Sequence, residues 1–216
     1  MKIFGFPSSP FVRKCLVVAG EKGIDIELAI ATPHKPTPEF LEASPFRMMP
    51  AIADGNFKLP DSSAIVHYLE AKYPKPAMIS ADPETCGRVI WLEEFSDTIL
   101  STKTIIVSFN LYVGPKIIGV PGDPAAADAA KTSLGPALDY LESIVPENGW
   151  LAGEFGLADI SVACSLKTML YGWDPLQSRT RAWYQRVSAR PVWQKVAAQE
   201  KAIVDSALAA METSKG

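Results

Sequence analysis

The residue of this chain best placed to do chemistry is Ser9, which is followed directly by Pro10. A hydroxyl residue before a proline reads as the N-cap and first position of a helix, because proline gives up an N–H that has no partner there and presets φ. Two readings of Ser9 stand side by side. As a cap it satisfies a free backbone N–H; as a functional group it offers a hydroxyl beside the positive end of a helix, where an anion is stabilised. A hydroxyl hydrogen bond to a charged sulfur contributes about 1.5–3 kcal/mol, and the helix end about 0.3–1 kcal/mol more. Together they lower a thiol pKa of roughly 8.5 by about one to three units, enough for substantial ionisation near neutrality. Ser8 is the reserve candidate, with a loop hydrogen-bonding role as its alternative.

The elements that must position this turn follow from periodicity. An apolar strand around Ile3 to Phe6 leads through Pro7-Ser8-Ser9-Pro10 into a helix from Phe11 to Glu21, with Phe11, Val12, Cys15, Leu16, Val18 and Ala19 on one stripe and Arg13, Lys14, Glu21 and Lys22 off it. Gly23 stops the helix, and alternation from Ile24 to Ile30 predicts a second strand, parallel to the first through a right-handed crossover. A proline-rich stretch from Thr32 to Pro45 holds a short helical patch at Glu39–Glu42. Asp54-Gly55-Asn56 between Ala51–Ala53 and Phe57–Leu59 predicts an antiparallel hairpin, after which Asp61-Ser62-Ser63 opens a helix that stops at Tyr73-Pro74.

Beyond Pro83 the strand signals vanish. Helices are predicted at Glu84–Phe109, Pro124–Ile144, Leu157–Tyr171, Ser178–Ala189 and Val192–Met211, with Gly114-Pro115, Gly119 and Pro121-Gly122-Asp123-Pro124 forming a loop. The change of period divides the chain into a domain at 1–77, a linker at 78–83 and an all-helical domain at 84–216.

Composition narrows the function. With 48% hydrophobic and 21% charged residues the chain is neither disordered nor membrane-like, and an early break in the apolar N-terminus argues against a secretory signal. The expectation is a cytoplasmic protein. A net charge of −3 without a Lys/Arg cluster leaves no footprint for nucleic acid or an anionic membrane. Cys15, Cys86 and Cys164 are odd in number, far apart and without C-x-x-C spacing, which argues against a disulfide framework or a metal site.

One ordered set of short motifs points to a family. Ser9-Pro10-Phe11-Val12-Arg13-Lys14, Glu21-Lys22-Gly23, Pro38-Glu39-Phe40-Leu41, Ser44-Pro45-Phe46, Met49-Pro50-Ala51 and Asp61-Ser62-Ser63-Ala64-Ile65 resemble the thioredoxin-like domain of bacterial serine-type glutathione transferases. The similarity continues with Trp150-Leu151-Ala152-Gly153, Leu157-Ala158-Asp159-Ile160-Ser161 and Ala189-Arg190-Pro191, so it covers nearly the whole chain. The resemblance implies a two-domain α+β protein, with a thioredoxin-like βαβ-ββα N-terminal domain and an all-α C-terminal helical bundle. It also implies a homodimer, glutathione as co-substrate and a small hydrophobic electrophile as the second substrate.

Residue by residue, the resemblance gives Ser9 the role of thiol activator. Met49-Pro50 is similar to the dipeptide that relatives hold cis so that the backbone of Met49 pairs with the cysteinyl backbone of glutathione; a trans proline opening a strand is the alternative. Asp61 and Ser62 match the acid-serine pair that holds the γ-glutamyl carboxylate, with capping as their other role. Met48 stands where relatives often place a lysine or glutamine at the glycyl carboxylate, which implies weaker binding; His34, Lys35 and Arg47 are the substitute cations, Lys35 foremost. The substrate wall is expected from the first long helix at Phe95, Ile99, Thr102 and Lys103, with Phe109 and Tyr112 near its end, and core packing as the alternative for each. Gly156 replaces the Ser or Thr that caps the helix containing Asp159 in relatives. Two other activities compete: a non-catalytic glutathione or ligand carrier on the same fold, and a glutathione-dependent peroxidase or thiol reductase, for which a cysteine is missing at Ser9.

Overall fold

In the computed structural model, which describes residues 1–34 and 36–213, the chain begins with four strands and three helices. In chain order these are β1 (Lys2–Gly5), α1 (Pro10–Glu21), β2 (Glu27–Ile30), α2 (Pro38–Ala43), β3 (Ala51–Asp54), β4 (Phe57–Pro60) and α3 (Ser62–Lys72). The sheet order is β2-β1-β3-β4; β1 and β2 run parallel, and the other two pairs are antiparallel. The expected βαβ-ββα order is therefore present. Gly55, at φ 60°, supplies the positive φ that opens the two-residue β3–β4 turn. β2 is shorter than its alternation predicts, because the four residues of β1 pair only with Glu27 to Ile30; Ile24 and Ile26 instead pack against the core.

The second half is all helix. α4 (Pro83–Glu94) continues through a π-helical stretch, Phe95–Leu100, into α5 (Ser101–Ser108) and then a second π-helical stretch, Phe109–Ile118. α6 (Pro124–Ile144), α7 (Leu157–Met169), α8 (Ser178–Ser188) and α9 (Pro191–Thr213) follow. The predicted break at Gly114-Pro115 is corrected here, since the helix runs on to Ile118. The wider π turn and the Cβ-free residue before the proline accommodate Pro115, which an α-helical interior disfavours. A Cβ on Gly114 would lie 2.9 Å from the Phe109 carbonyl oxygen. The Gly114 carbonyl closes the stretch by accepting from the Gly119 amide at 2.8 Å, five residues on.

One apolar core joins the two halves, with Val12 and Leu16 of α1 in the same cluster as Leu157, Ile160 and Ala163 of α7. That contact also covers part of the charged side of α1. Arg13 and Lys14 lie off the apolar stripe, yet each is only 1% exposed because the helical domain covers them. Charge partners make this burial tolerable: Arg13 meets Glu200 at 2.6 Å, and Lys14 meets Glu93 at 2.9 Å and Asp97 at 2.6 Å. At the rim, Arg190 pairs with Glu21 at 2.7 Å. All five tryptophans, at 91, 150, 173, 183 and 193, belong to the helical half.

Inside the helical domain Asp159 is fully buried and accepts from the Leu151 amide at 3.0 Å, the Gly156 amide at 3.4 Å and the Trp183 indole at 2.8 Å. Burial pushes its carboxyl above the usual carboxylate range, against the pull of those hydrogen bonds. The glycine at the cap has a steric reason. A Cβ on Gly156 would sit 2.6 Å from the Met78 carbonyl oxygen, which the Leu157 amide reaches at 2.9 Å.

Candidate functional site

A cavity of about 300 Å³ opens where the start of α1 faces the end of the long helix. The sheet domain contributes Phe6, Ser8, Ser9, Pro10, Thr32, Pro33, His34 and Met49, and the helical domain contributes Ile105, Ser108, Phe109, Val113, Ile117, Ile118 and Thr168. Hydroxyls cluster at the α1 end, while the opposite wall is apolar apart from Ser108 and Thr168. No Asp, Glu, Lys or Arg is among the described lining residues.

Ser9 takes the extended N-cap conformation, φ −66° and ψ 129°, with Pro10 as the first helical residue. Its amide donates to the Phe6 carbonyl at 3.0 Å, and its carbonyl accepts from the Arg13 amide at 3.0 Å. The hydroxyl makes no capping hydrogen bond. It stands half-buried on the cavity wall, so of the two readings of Ser9 the capping one finds no bond to support it. Gly5 lets the neighbouring parts converge, since a Cβ there would meet Val12 Cγ2 at 2.4 Å and Met49 Cβ at 3.5 Å.

The Met49–Pro50 bond is cis, as the resemblance implied. The Pro50 carbonyl accepts from the Asp61 amide at 3.2 Å, which places the start of α3 beside this dipeptide. Asp61 sits at φ 79° and its carboxylate caps α3 through the Ala64 amide at 3.0 Å. Ser62 is buried, with its carbonyl 3.7 Å from the Cys15 thiol, and like Asp61 and Pro50 it does not line the cavity. Among the glycyl-end candidates, His34 is exposed and lines the cavity, Arg47 is exposed at φ 58° and does not, and Lys35 lies outside the described residues.

Of the residues expected to form a substrate wall, Phe109 lines the cavity and Phe95, Ile99, Thr102, Lys103 and Tyr112 do not. Phe95 is core, packed edge-on against Tyr140 with ring centroids 5.3 Å apart. Ile99 packs against the core, the Thr102 hydroxyl donates back to the Thr98 carbonyl at 3.0 Å, and the Lys103 ammonium donates to the Ile99 carbonyl at 3.2 Å. Tyr112 stacks on Tyr171 at 5.0 Å. The wider turn at Phe95–Leu100 rotates the residues that follow it, Thr102 and Lys103 among them, relative to an uninterrupted α-helix. The helical side of the cavity is formed by Ile105, Phe109, Val113 and Ile117, an apolar residue every fourth position. That repeat is visible in the sequence and was the available signal.

Thiol chemistry has little foothold. Burial drives the Cys15 thiol well above its ordinary pKa, and pushes that of Cys164 up to about 12; Cys86 is half-exposed on α4 and is not a cavity residue. Among the described residues no His/Cys/Asp/Glu group is arranged to hold a metal ion, and no helix is long and apolar enough to cross a membrane.

Comparison with known proteins places these features in context. Residues 3–77 match the family described as glutathione S-transferase, N-terminal domain. Over 209 residues the chain is 32% identical to glutathione S-transferase 3 of Zea mays, covering 92% of this chain and 93% of that protein. A crystal structure of a glutathione S-transferase from Rhodospirillum rubrum F11 superposes with a TM-score of 0.82 at 25% identity, over 90% of both chains. Another solved relative, glutathione S-transferase-I bound with the ligand lactoylglutathione, matches 91% of this chain and 98% of its own at a TM-score of 0.78 and 25% identity.

Proposed function

We propose, from the premise that this chain belongs to the glutathione S-transferase family, that it is a serine-type glutathione transferase in which Ser9 activates the glutathione thiol for attack on an apolar electrophile. The observation that carries this reading is the Ser9 hydroxyl, free of any capping bond at the start of a helix and facing the cavity between the domains. The hydroxyl donates to the sulfur and the α1 terminus favours its negative charge, so the thiolate is populated near neutrality. Ser9 is not itself a covalent nucleophile. The sulfur then attacks a second substrate held within reach by the Ile105–Phe109–Val113–Ile117 wall, which supplies proximity and orientation. With no charged side chain among the described lining residues, that substrate is uncharged where it meets the wall.

In this reading the backbone of Met49, beside Pro50, pairs with the cysteinyl part of glutathione. Asp61 and Ser62 receive the γ-glutamyl end at the start of α3, and the glycyl end falls to His34, Arg47 or Lys35. The working form is a cytoplasmic homodimer. What supports the dimer is exposed apolar surface in the segment between α2 and β3: Phe46 is 87% exposed and Met48 67%.

Replacing Ser9 by Ala tests the mechanism. Turnover in glutathione conjugation is expected to fall about ten- to a hundredfold, the loss of one hydrogen bond to a charged group, while thermal stability stays at the wild-type value because no capping bond is lost. Undiminished turnover removes Ser9 from the mechanism. A second reading, a glutathione-binding carrier, draws on Met48, which has no polar group for the glycyl carboxylate. Retention on a glutathione resin with no turnover across a panel of electrophiles selects the carrier.

A further inference from the structure

Arg13 plays no part in the chemistry above, yet its contacts converge on the turn that carries Ser9. The guanidinium is buried, and two of its nitrogens meet the equally buried Glu200 of α9, Nε to Oε2 at 3.1 Å and Nη2 to Oε1 at 2.6 Å. The Tyr171 hydroxyl also donates to Glu200. Those bonds satisfy the ion pair. The remaining donors point elsewhere: Nη1 to the Cys164 carbonyl at 3.0 Å and the Thr168 hydroxyl at 3.2 Å, and Nη2 to the Ser8 carbonyl at 3.2 Å.

The Ser8 carbonyl and the Ser9 amide are two ends of one planar peptide. Arg13 holds the carbonyl end, and the Phe6 carbonyl holds the amide end at 3.0 Å. A peptide plane fixed at both ends leaves little freedom in the direction of the Ser9 Cα–Cβ bond, so the hydroxyl can be aimed although it has no hydrogen bond of its own. We infer that Arg13, oriented by Glu200 of α9, is a positioning residue that aims the Ser9 hydroxyl at the glutathione sulfur. This rests on the assignment of Ser9 as thiol activator. Because Glu200 neutralises the guanidinium at contact distance, the effect on sulfur is geometric, conveyed through the peptide rather than through a net charge. The last helix thereby acts on a turn at the opposite end of the chain without entering the cavity.

The informative variant is Arg13→Lys. A lysine keeps the charge opposite Glu200 but lacks the planar fork that bridges Glu200, Cys164 and Ser8 together. The expected result is a folded enzyme with a glutathione KM within about threefold of wild type, kcat lower by about tenfold, and the acid limb of the kcat/KM profile moved up by about one pH unit as thiolate stabilisation is lost. Where Arg13→Lys does not fold, the paired change Arg13→Met with Glu200→Met removes both charges together and is read in the same way.

Ser9→Ala, measured alone and combined with the Arg13 change, separates the two claims. If Arg13 works through Ser9, the Arg13 change costs nothing further in kcat once Ser9 is alanine. A folded Arg13 variant with the wild-type kcat and acid limb overturns the positioning role, as does full additivity with Ser9→Ala. If Ser9→Ala by itself leaves the acid limb unmoved, the thiol-activator reading fails, and the positioning role falls with it.

Discussion

At Asp61 one side chain meets two demands. Its carboxylate caps α3 through the Ala64 amide, and it does so from a positive φ of 79°, a region uncommon for a residue with a Cβ. In the proposed complex it also faces the γ-glutamyl end of glutathione. Asp61→Ala is expected to cost about 1 kcal/mol of stability from the lost cap and to raise the glutathione KM. Asp61→Asn keeps a capping oxygen while removing the charge, so thermal unfolding should return toward wild type while KM stays high; a normal KM in Asp61→Asn excludes the charge from binding. Local capping chemistry made Ser9-Pro10 and Asp61-Ser62 legible in the sequence, because each motif is settled by its immediate neighbours. That the Ser9 hydroxyl makes no capping bond was not legible, since it depends on the conformation of the turn between β1 and α1.

The element that sequence reasoning misplaced most is the long helix of the wall. Its α-helical period put Phe95, Ile99 and Thr102 on one face, and nothing in residue propensity announces a π turn, which is set by packing. Gly114-Pro115 read as a break for the same reason. The loop that follows is seated on this helix backbone: a Cβ at Gly122 would lie 1.8 Å from the Asn110 carbonyl oxygen, and the Asp123 amide reaches the Asn110 side chain at 2.8 Å. Gly122→Ala must displace backbone, so it is expected to destabilise by about 1–3 kcal/mol and to change kcat/KM for bulky electrophiles more than for small ones. A variant matching wild type in thermal unfolding and in substrate ranking shows that the loop does not hold the wall.

A second element contact is sensitive to acid. Glu142 of α6 accepts from the Arg179 and Thr180 amides at 3.0 and 2.8 Å and from the Thr180 hydroxyl at 2.6 Å, at the start of α8. Burial favours its protonation, but the hydrogen bonds from Thr180 and Arg179 outweigh burial and hold its pKa below the ordinary value. A carboxyl depressed in the folded state contributes stability above its unfolded pKa of about 4.3, and that stability is lost as pH falls through the folded value. Urea midpoints measured downward from about pH 6 should therefore fall less steeply in Glu142→Gln than in wild type; parallel curves exclude Glu142 as a contributor.

Across the whole molecule, buried ion pairs fasten the sheet domain to the helical one. Lys14 sits between Glu93 and Asp97, so Lys14→Met leaves two carboxylates without their cation, at a cost of about 3–5 kcal/mol. Because every tryptophan lies in the helical half, indole emission reports that half alone and far-ultraviolet dichroism reports both. The two signals should share one urea midpoint in wild type and shift together in Lys14→Met; separate midpoints mean that the domains unfold independently. The domain order was legible from the change of period, whereas the burial of Arg13 and Lys14 was not, since a helix viewed alone assigns its charged face to water and only the other half of the chain covers it. The cavity's division of labour carries a further consequence. Its α1 side is locked by backbone bonds and buried charge, but Ile105, Phe109 and Ile118 opposite remain 37%, 38% and 47% exposed, and substitutions at such sites cost the fold little. One bank of the cleft is therefore held to its task while the other is open to drift, and under the proposed function a lineage could trade one class of electrophile for another by rewriting a single helix face.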